Sequence, residues 1–260
     1  DLADLARFKD ADLIVAADGL NSKVRNADLK GFKADIEMQP NKFVWLGTRQ
    51  RFNDAFTFMF EQTEHGWMWA HAYQFDAQTS TFIVECRPET YDHWGFDRMS
   101  HEESAETCRR IFEKHLGGHK LLTNSAHIRG SAWINFPRVL CRNWVKARGH
   151  KKFMVLIGDA AHTAHFSIGS GTKLGFEDAI SLARHLHSGA PLEQALATYQ
   201  AEREVEALKL QSAARNSMSW FEEIQRYLDY GVKQFTYALL TRSQRVSHEN
   251  LRLRDKNWLE

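Results

Sequence analysis

The sequence of 260 residues is 43% hydrophobic and 26% charged, which suits one large folded domain or two small ones. A formal net charge of +1 gives no overall reason to expect binding to nucleic acid or to a membrane surface. No apolar run approaches the roughly 20 residues that cross a bilayer, and the first residues lack the basic and apolar parts of a signal peptide.

Cysteine and histidine usage argues against disulfides and metal. The 3 cysteines are an odd number and have no Cys-x-x-Cys spacing. We therefore expect buried thiols in a reducing cytoplasm. The 13 histidines form no His-Glu-x-x-His motif, and His162 with His165 lacks a nearby third ligand, so no metal site is predicted.

In chain order, the first half of the sequence is rich in strand patterns. Residues 12–17 are predicted to form a short apolar strand that ends at the turn signal Asp18–Gly19. Four further strand-like runs follow, at 42–46, 55–60, 67–75 and 81–85. Short turns separate these runs, which is typical of an antiparallel meander.

Helical patterns dominate the second half. Ser100 and Glu103 form a capping box at the start of an apolar helical stripe that ends near Gly117. Strands are predicted at 131–136 and 153–157. Helices are predicted at 174–186, 192–213 and 220–240.

This order of elements predicts an α/β (α+β) fold, in which an antiparallel sheet domain is inserted into a discontinuous α/β domain. The predicted α/β domain combines residues 1–30 with residues 149–190. The inserted domain covers 31–148, and C-terminal helices cover 191–260.

The first glycine motif is DGLNSKVR at 18–25. A strand delivers Asp18 to a tight turn, where Gly19 can take a positive φ and let a ligand approach the backbone. Ser22 offers its hydroxyl to a helix start, and Arg25 places a fixed cation nearby. Taken alone, the Asp-Gly pair also fits an ordinary turn before a capped helix.

The second motif, GDAAH at 158–162, directly follows the apolar strand 153–157. Its Asp159 lies where a strand ends, which is where open α/β sheets bind their ligands. Gly169 and Gly171 then let the backbone pass against a flat surface before a helix begins. That helix directs its N-terminal partial positive charge toward the ligand, so an anion or an electron-rich ring is the predicted occupant.

Together, the two motifs resemble those of the flavin-dependent aromatic hydroxylases, which share the fold of p-hydroxybenzoate hydroxylase. The resemblance spans nearly the whole chain in the expected order. It implies a three-layer FAD-binding domain with an inserted antiparallel-sheet substrate domain. The FAD-binding domain is incomplete in this sequence, because no strand runs into the GxGxxG motif that holds the ADP half of FAD.

The resemblance also implies FAD as cofactor, NAD(P)H as co-substrate and O2 as oxidant. Because the cofactor carries the difficult chemistry, no side chain is expected to be obligately catalytic. The second motif is expected to bind the ribityl chain and flank the flavin ring, and the first to help hold the pyrophosphate and the nicotinamide cofactor. The expected cofactor-binding residues are Asp18, Gly19, Arg25, Gly158, Asp159, Ala160, His162, Gly169, Gly171, Thr172 and Lys173.

Two departures from the family pattern indicate a particular subgroup of the family. His165 and Phe166 replace the usual pair of prolines, and Lys173 replaces the usual asparagine. The variant HFSIGSGTK is similar to the hydroxylase part of salicylyl-CoA 5-hydroxylases and 2-aminobenzoyl-CoA monooxygenase/reductases. It is more weakly similar to the tryptophan-pathway hydroxylase of violacein biosynthesis.

The subgroup implies hydroxylation of an aryl-CoA thioester such as salicylyl-CoA or 2-aminobenzoyl-CoA. It also implies a longer cytoplasmic chain with a C-terminal reductase-like domain. Neither a nucleic acid nor a membrane is an expected partner. Two alternatives remain open, namely hydroxylation of a free indole or phenol, and an interaction fragment that holds no flavin.

Three candidate substrate contacts come from the sheet and the glycine loop. In the run 67–75, alternate residues share one face, where His71 and Tyr73 either line an aromatic pocket or belong to the core. His165 is a candidate because it lies in the loop beside the expected flavin. Lys173, at the helix start, either stabilises the anionic reduced flavin or points to solvent.

A basic run extends from Arg138 to Lys152, with six fixed cations and no acid. Within it, Arg142, Lys146 and Arg148 are candidates for binding the phosphates of CoA, because guanidinium groups match phosphate geometry. Alternatively, the run is a solvated loop whose cations need no partner.

Overall fold

The computed structural model describes residues 5–53, 55–123 and 131–259. Contacts divide the chain into two compact units, with breaks between Glu37 and Met38 and between Phe136 and Pro137. Unit 1 contains the two outer segments and unit 2 the segment between the breaks. Both helices and strands are present, as the predicted mixed α/β class requires.

The elements are numbered in chain order. The strands are β1 (Leu13–Ala16), β2 (Ala34–Thr48), β3 (Thr57–Thr63), β4 (Gly66–Gln74), β5 (Ser80–Cys86), β6 (Leu121–Leu122), β7 (Ile134–Cys141), β8 (Val145–Gly149) and β9 (Lys152–Leu156). The helices are α1 (Lys23–Ala27), α2 (Pro88–Trp94), α3 (His101–Ile111), α4 (Gly171–Leu186), α5 (Leu192–Glu222), α6 (Val232–Thr241), α7 (His248–Arg254) and α8 (Lys256–Leu259). Short 3-10 turns connect several of them.

Unit 1 contains a three-stranded sheet in the order β1-β9-β8. β1 and β9 run parallel, with Leu13 opposite Phe153 and Ala16 opposite Leu156, whereas β8 runs antiparallel to β9. Parallel neighbours end at the same edge of a sheet. The two glycine motifs, which follow β1 and β9, therefore begin side by side.

Helices α4 and α5 pack with this sheet into one core. Tyr199 of α5 is fully buried and donates a hydrogen bond to the carbonyl of Leu156 at the end of β9, at 3.3 Å. The indole of Trp144, also fully buried, donates to the Cys141 carbonyl at 2.8 Å. The core therefore fixes the end of β9, where the second motif begins.

Unit 2 is built on an antiparallel sheet in the order β3-β4-β5-β2-β6, and β7 pairs with β2. One face of the sheet forms a core with α3, in which Phe82 and Val84 meet Cys108 and Phe112. The predicted capping box of α3 is confirmed. The Ser100 hydroxyl accepts from the Glu103 amide at 3.2 Å, and the Ser100 amide donates to the Glu103 carboxylate at 2.8 Å.

The structure differs from the predicted elements in three places. The helix predicted at 192–213 continues to Glu222, and the next helix begins only at Val232, after Gly231. The basic run is not a loop but contains the end of β7, all of β8 and the start of β9. Val139 and Cys141 are buried, whereas Arg138, Leu140 and Arg142 are not, and such alternating burial is the pattern of a strand.

Unit 2, which extends from Met38 to Phe136, is shorter than the inserted domain of 31–148 proposed from the sequence. Residues 137–148 lie in unit 1, because β8 joins the sheet of β9. The helices of 191–259 belong to the same unit.

Cys86, Cys108 and Cys141 are buried free thiols, as predicted. Over the ranges given above, no helix has both the length and the apolar character of a membrane span. The same ranges contain no group of three or more histidine, cysteine or acidic side chains placed to hold a metal ion.

Candidate functional site

The first motif forms a tight turn after β1. Gly19 has a φ of +72°, a conformation that other residues rarely adopt. One carboxylate oxygen of Asp18, Oδ2, accepts hydrogen bonds from the backbone amides of Lys23 at 2.8 Å and Val24 at 3.3 Å. Ser22 caps α1 by accepting from the Arg25 amide at 3.0 Å. The local sequence therefore closes the turn onto a short helix, as predicted.

The second oxygen of Asp18, Oδ1, is buried and receives no hydrogen bond from the residues that the structure describes. A buried carboxylate oxygen without a donor is costly. Because it lies at the carboxyl end of β1, this oxygen is suited to accept a hydrogen bond from a ligand hydroxyl.

Arg25 links the two motifs. Its guanidinium donates to the carbonyls of Leu20 at 2.6 Å, Asp159 at 3.3 Å and Ala160 at 3.2 Å. Burial lowers the pKa of Arg25, yet an arginine stays protonated in proteins. The described contacts of this predicted cofactor-binding residue therefore hold the two turns against each other.

Asp159 lies in a 3-10 turn, Gly158–Ala160, immediately after β9. The residue is exposed, but protein surrounds its carboxyl closely enough that desolvation raises its pKa, with an opposing effect of His162. Its carboxylate makes no hydrogen bond within the described ranges. Gly158 has a φ of +56°, and a Cβ there would lie 3.5 Å from the Gly175 Cα, so α4 passes close to this turn.

A buried hydrogen-bond network around Asp178 holds the turn of the second motif in place. Asp178 of α4 is fully buried and accepts hydrogen bonds from the Gly158 amide at 2.9 Å, His162 Nε2 at 2.7 Å and Arg203 Nε at 2.9 Å. Although burial alone would raise it, these hydrogen bonds hold the pKa of Asp178 below its ordinary value. His162 is itself buried and its ring packs 4.7 Å from that of Trp144.

This network was not predicted in full. Asp178 lies on the buried face of α4 with Leu174 and Leu182, and a carboxylate on a buried face requires a partner. The partner, Arg203, lies on α5, 25 positions away. No short-range pattern identifies it.

The glycine loop leads into α4. A 3-10 turn, Phe166–Ile168, ends at Gly169 with a φ of +59°, and Gly171 is the first residue of the helix. Thr172 and Lys173 follow in the first turn and are exposed. The Lys173 ammonium, whose side chain is 73% exposed, pairs with Glu177 one turn later.

These residues fit the flavin group implied by the motifs. The edge that follows β1 and β9 offers a buried acceptor at Asp18, an exposed carboxylate at Asp159 and a helix start with no side chain at Gly171. Carboxylates accept hydrogen bonds from hydroxyl groups, and a helix start favours negative charge.

In unit 2, the structure places the candidate His71 in a polar cluster that the sequence did not reveal. Glu85 of β5 is fully buried and accepts hydrogen bonds from Asn41 Nδ2 and Trp69 Nε1, each at 2.9 Å. His71 Nε2 lies 3.3 Å from the same carboxylate. The available signal was a glutamate directly after the apolar run of residues 82–84 in β5.

The second sheet candidate, Tyr73, lies in an aromatic group. Its ring stacks on that of Phe56, with centroids 5.1 Å apart, and Phe56 lies 5.1 Å from Phe58. An open cavity of about 460 Å³ adjoins this group and is lined by Phe52, Phe56, Tyr73 and Phe75, among others. Tyr73 and His71 lie on one face of β4, as the alternation predicts.

The three candidates for CoA phosphates have different surroundings. Lys146 pairs with Asp28. Arg148 donates to the carbonyls of Phe8 at 3.2 Å and Ala11 at 3.4 Å. Arg142 is exposed, and its guanidinium has no partner among the residues described.

Comparison with known proteins identifies the class. The family model of the FAD binding domain matches residues 7–214, and the chain therefore belongs to the FAD binding domain family. FAD is accordingly the cofactor of this chain.

Two relatives and one solved structure narrow the comparison. The chain is 35% identical over 271 residues to salicyloyl-CoA 5-hydroxylase of Streptomyces sp, with 100% of this chain and 50% of that protein covered. It is 33% identical over 230 residues to protodeoxyviolaceinate monooxygenase of Chromobacterium violaceum, covering 88% and 58%. The solved structure of 2-methyl-3-hydroxypyridine-5-carboxylic acid oxygenase has the same fold, with a TM-score of 0.59, 20% identity, and coverage of 93% of this chain and 60% of that one. The chain thus spans half to three fifths of these proteins.

Proposed function

We propose that this chain is the flavin-binding and substrate-binding part of an FAD-dependent monooxygenase that hydroxylates the ring of an aryl-CoA thioester. One atom of O2 would enter the ring and the other would leave as water, with two electrons from NAD(P)H. The observation that carries the proposal is the match to salicyloyl-CoA 5-hydroxylase along 100% of this chain. The chain covers 50% of that relative, and we propose the activity for the whole protein that contains it.

In this proposal the edge of unit 1 holds the flavin. FAD, when bound, supplies the oxygen-transfer chemistry. Asp159 accepts hydrogen bonds from the ribityl hydroxyls, because its carboxylate is exposed at the end of β9. Asp18 would accept through its buried Oδ1, and the backbone at Gly169 and Gly171 would contact the flavin.

The substrate is assigned to side chains outside this edge. His71, Tyr73 and His165 are proposed to contact the aromatic acyl group. Arg142 is the best of the proposed phosphate contacts, because Lys146 and Arg148 have local partners.

A second candidate is hydroxylation of a free indole-type ring. It is favoured by the identity of 33% to protodeoxyviolaceinate monooxygenase over 88% of this chain. It needs no phosphate contact, and the exposed Arg142 would then be a surface cation.

Turnover by the full-length protein separates the candidates. The protein is loaded with FAD and NAD(P)H and given salicylyl-CoA, 2-aminobenzoyl-CoA, the two free acids or indole. Mass spectrometry then detects products that have gained one oxygen atom. Oxygen addition to the thioesters alone supports the proposal, and addition to indole or to a free acid alone rejects it.

The remaining parts of the proposal have their own tests. A full-length protein without a flavin absorption band that takes up no FAD would instead be an interaction module. We also propose a reductase-like domain after this chain and a cytoplasmic location, which the full reading frame and cell fractionation test.

A further inference from the structure

A turn from the C-terminal part of unit 1 contacts the glycine loop at the start of α4. The turn follows α6, and its Arg245 donates from Nη1 to the hydroxyl of Ser170, the residue before α4, at 2.9 Å. Arg242 of the same turn donates to the Ser167 carbonyl at 2.9 Å. The turn is therefore attached to the glycine loop at two points.

The Ser170 hydroxyl can accept from Arg245 because it does not cap its helix. The capping serines Ser100 and Ser247 have extended backbones, with ψ of 164° and 167°, and their hydroxyls accept from a backbone amide of the first turn. Ser170 has a ψ of 0° and makes no such bond. Its hydroxyl donates to the Ile168 carbonyl at 3.1 Å instead. α4 therefore begins without a side-chain cap, and a guanidinium lies beside its start.

The turn that carries Arg245 has a strained backbone. Gln244 has a φ of +60°, in the left-handed region that residues other than glycine rarely adopt. Its amide donates to the Thr241 carbonyl at 2.8 Å, which closes the turn directly after α6. Such a conformation persists where the surrounding contacts maintain it. The contacts of Arg242 and Arg245 with the glycine loop are of this kind.

Arg245 differs from the lysines near it in having no acidic partner. It adjoins a cavity of about 270 Å³ between α4 and α5. Two oppositely charged pairs also line this cavity, Lys173 with Glu177 on α4 and Lys209 with Glu206 on α5. Within the part of the chain that the structure describes, no carboxylate pairs with the Arg245 guanidinium. Arg245 is therefore the uncompensated charge of this cavity.

We propose that Arg245 is the cation that stabilises the negative charge of the reduced flavin at the start of α4. The uncapped start of the helix and the guanidinium act in the same direction, because both favour a nearby anion. An arginine also stays protonated at every pH at which the protein is folded. Lys173 does not take this role, since Glu177 compensates its charge. The proposal rests on the proposed position of FAD at this edge of unit 1, but not on the identity of the substrate.

The midpoint potential of FAD in the full-length protein tests the proposal. Arg245→Gln keeps an N–H donor for Ser170 and removes the charge. We expect the affinity for reduced FAD to fall about fivefold relative to that for oxidised FAD, which makes the potential about 20 mV more negative, at about 30 mV per decade for two electrons. Because Arg245 is exposed, a higher salt concentration should reduce the difference.

Three further variants separate charge from structure. Arg245→Lys keeps the charge and should retain at least half of the effect on the potential. Ser170→Ala keeps every charge but removes the acceptor that holds Arg245, so its shift should have the same sign and be smaller than that of Arg245→Gln. Arg215→Gln removes another exposed arginine of unit 1 and should leave the potential unchanged.

The outcomes distinguish this proposal from the proposed function. An unchanged potential in Arg245→Gln overturns the role of Arg245. Equal shifts in the glutamine and lysine variants also overturn it, because the effect would then be structural, and an equal shift in Arg215→Gln would show an effect of net charge alone. If the expected shifts are found and no thioester is hydroxylated, the proposed function is rejected and the role of Arg245 stands.

Discussion

Each unit of the molecule buries a carboxylate beside a histidine, but the described hydrogen-bond donors to the two carboxylates differ. In unit 1, Asp178 receives a hydrogen bond from His162 at 2.7 Å and one from Arg203 at 2.9 Å. In unit 2, Glu85 lies 3.3 Å from His71. The other contacts described for Glu85 within its unit come from an amide and an indole, which are neutral.

The difference indicates two uses of a similar pair. A guanidinium neutralises Asp178 at every ordinary pH, so the first network is suited to holding the turn of the second motif in place. In unit 2, the contacts described for the Glu85 carboxylate include the amide of Asn41 and the indole of Trp69, which orient it.

The largest expected effect is on the charge-compensated network. Arg203→Met leaves the Asp178 carboxylate buried without its cation, and we expect the free energy of unfolding to fall by about 3–5 kcal/mol. Denaturant unfolding measures it. Arg184→Met is the control, because Arg184 is an exposed arginine that pairs with Glu202, and its effect should be far smaller. Similar losses in both variants would contradict the structural role of Arg203.

A smaller loss of stability is expected in unit 2. Glu85→Gln replaces one accepting oxygen with an amide group that faces existing donors, and we expect a loss of about 1.5–3 kcal/mol. The control, Glu64→Gln, changes an exposed glutamate whose carboxylate lies 3.8 Å from His65. If the two variants unfold at the same denaturant concentration, the buried cluster adds nothing to stability.

Asp159 tests the ligand side of unit 1. Asp159→Ala should weaken FAD binding to the full-length protein by about one to two decades, the loss of a charge-assisted hydrogen bond of roughly 1.5–3 kcal/mol. Fluorescence titration measures the dissociation constant of FAD. Asp229→Ala, at another exposed aspartate of unit 1, should leave it unchanged. An unchanged constant in Asp159→Ala would place the flavin elsewhere.

Asp178 and Asp159 should give opposite dependences of stability on pH. The folded pKa of Asp178 lies below its ordinary value of 3.8, so its contribution is present above that value and is lost as the pH falls through the folded pKa. The folded pKa of Asp159 lies above 3.8, so its contribution is present below that value and is lost as the pH rises. Asp159→Asn should therefore make stability rise more steeply with pH in this range, as measured by urea unfolding. A shallower rise would reverse the sign assigned to Asp159.

Local features of both units could be predicted from the sequence. The turn at Gly19, the helix start after Gly169 and the capping box of Ser100 with Glu103 depend on neighbouring residues. Short-range rules therefore identified them. The strand that delivers Asp159 was likewise visible as an apolar run.

The partners of the buried charges could not be predicted, because they come from distant parts of the chain. Arg203 is 25 positions from Asp178, and Asn41 is 44 positions from Glu85. A pattern of hydrophobicity indicates that a position is buried, but it does not indicate which donor will reach it. In the basic run of 138–152, the charged side chains suggested a solvated loop. The alternating burial at Val139 and Cys141, which marks a strand, was therefore not recognised.

The smallest expected effect concerns Lys173, and it sharpens the contrast between buried and exposed pairs. Its side chain is 73% exposed and pairs with Glu177, which also accepts from Arg203 at 3.2 Å. Because water and Glu177 screen the ammonium, Lys173→Met should leave the midpoint potential of the bound flavin within measurement error. Glu177→Gln removes the screening partner and should raise that potential slightly, since the uncompensated cation then favours the anionic reduced form. Potentiometric titration of the full-length protein measures both. A clear shift to more negative potential in Lys173→Met would show that the ammonium acts on the flavin despite its partner, and that an exposed pair at this helix start matters as much as a buried one.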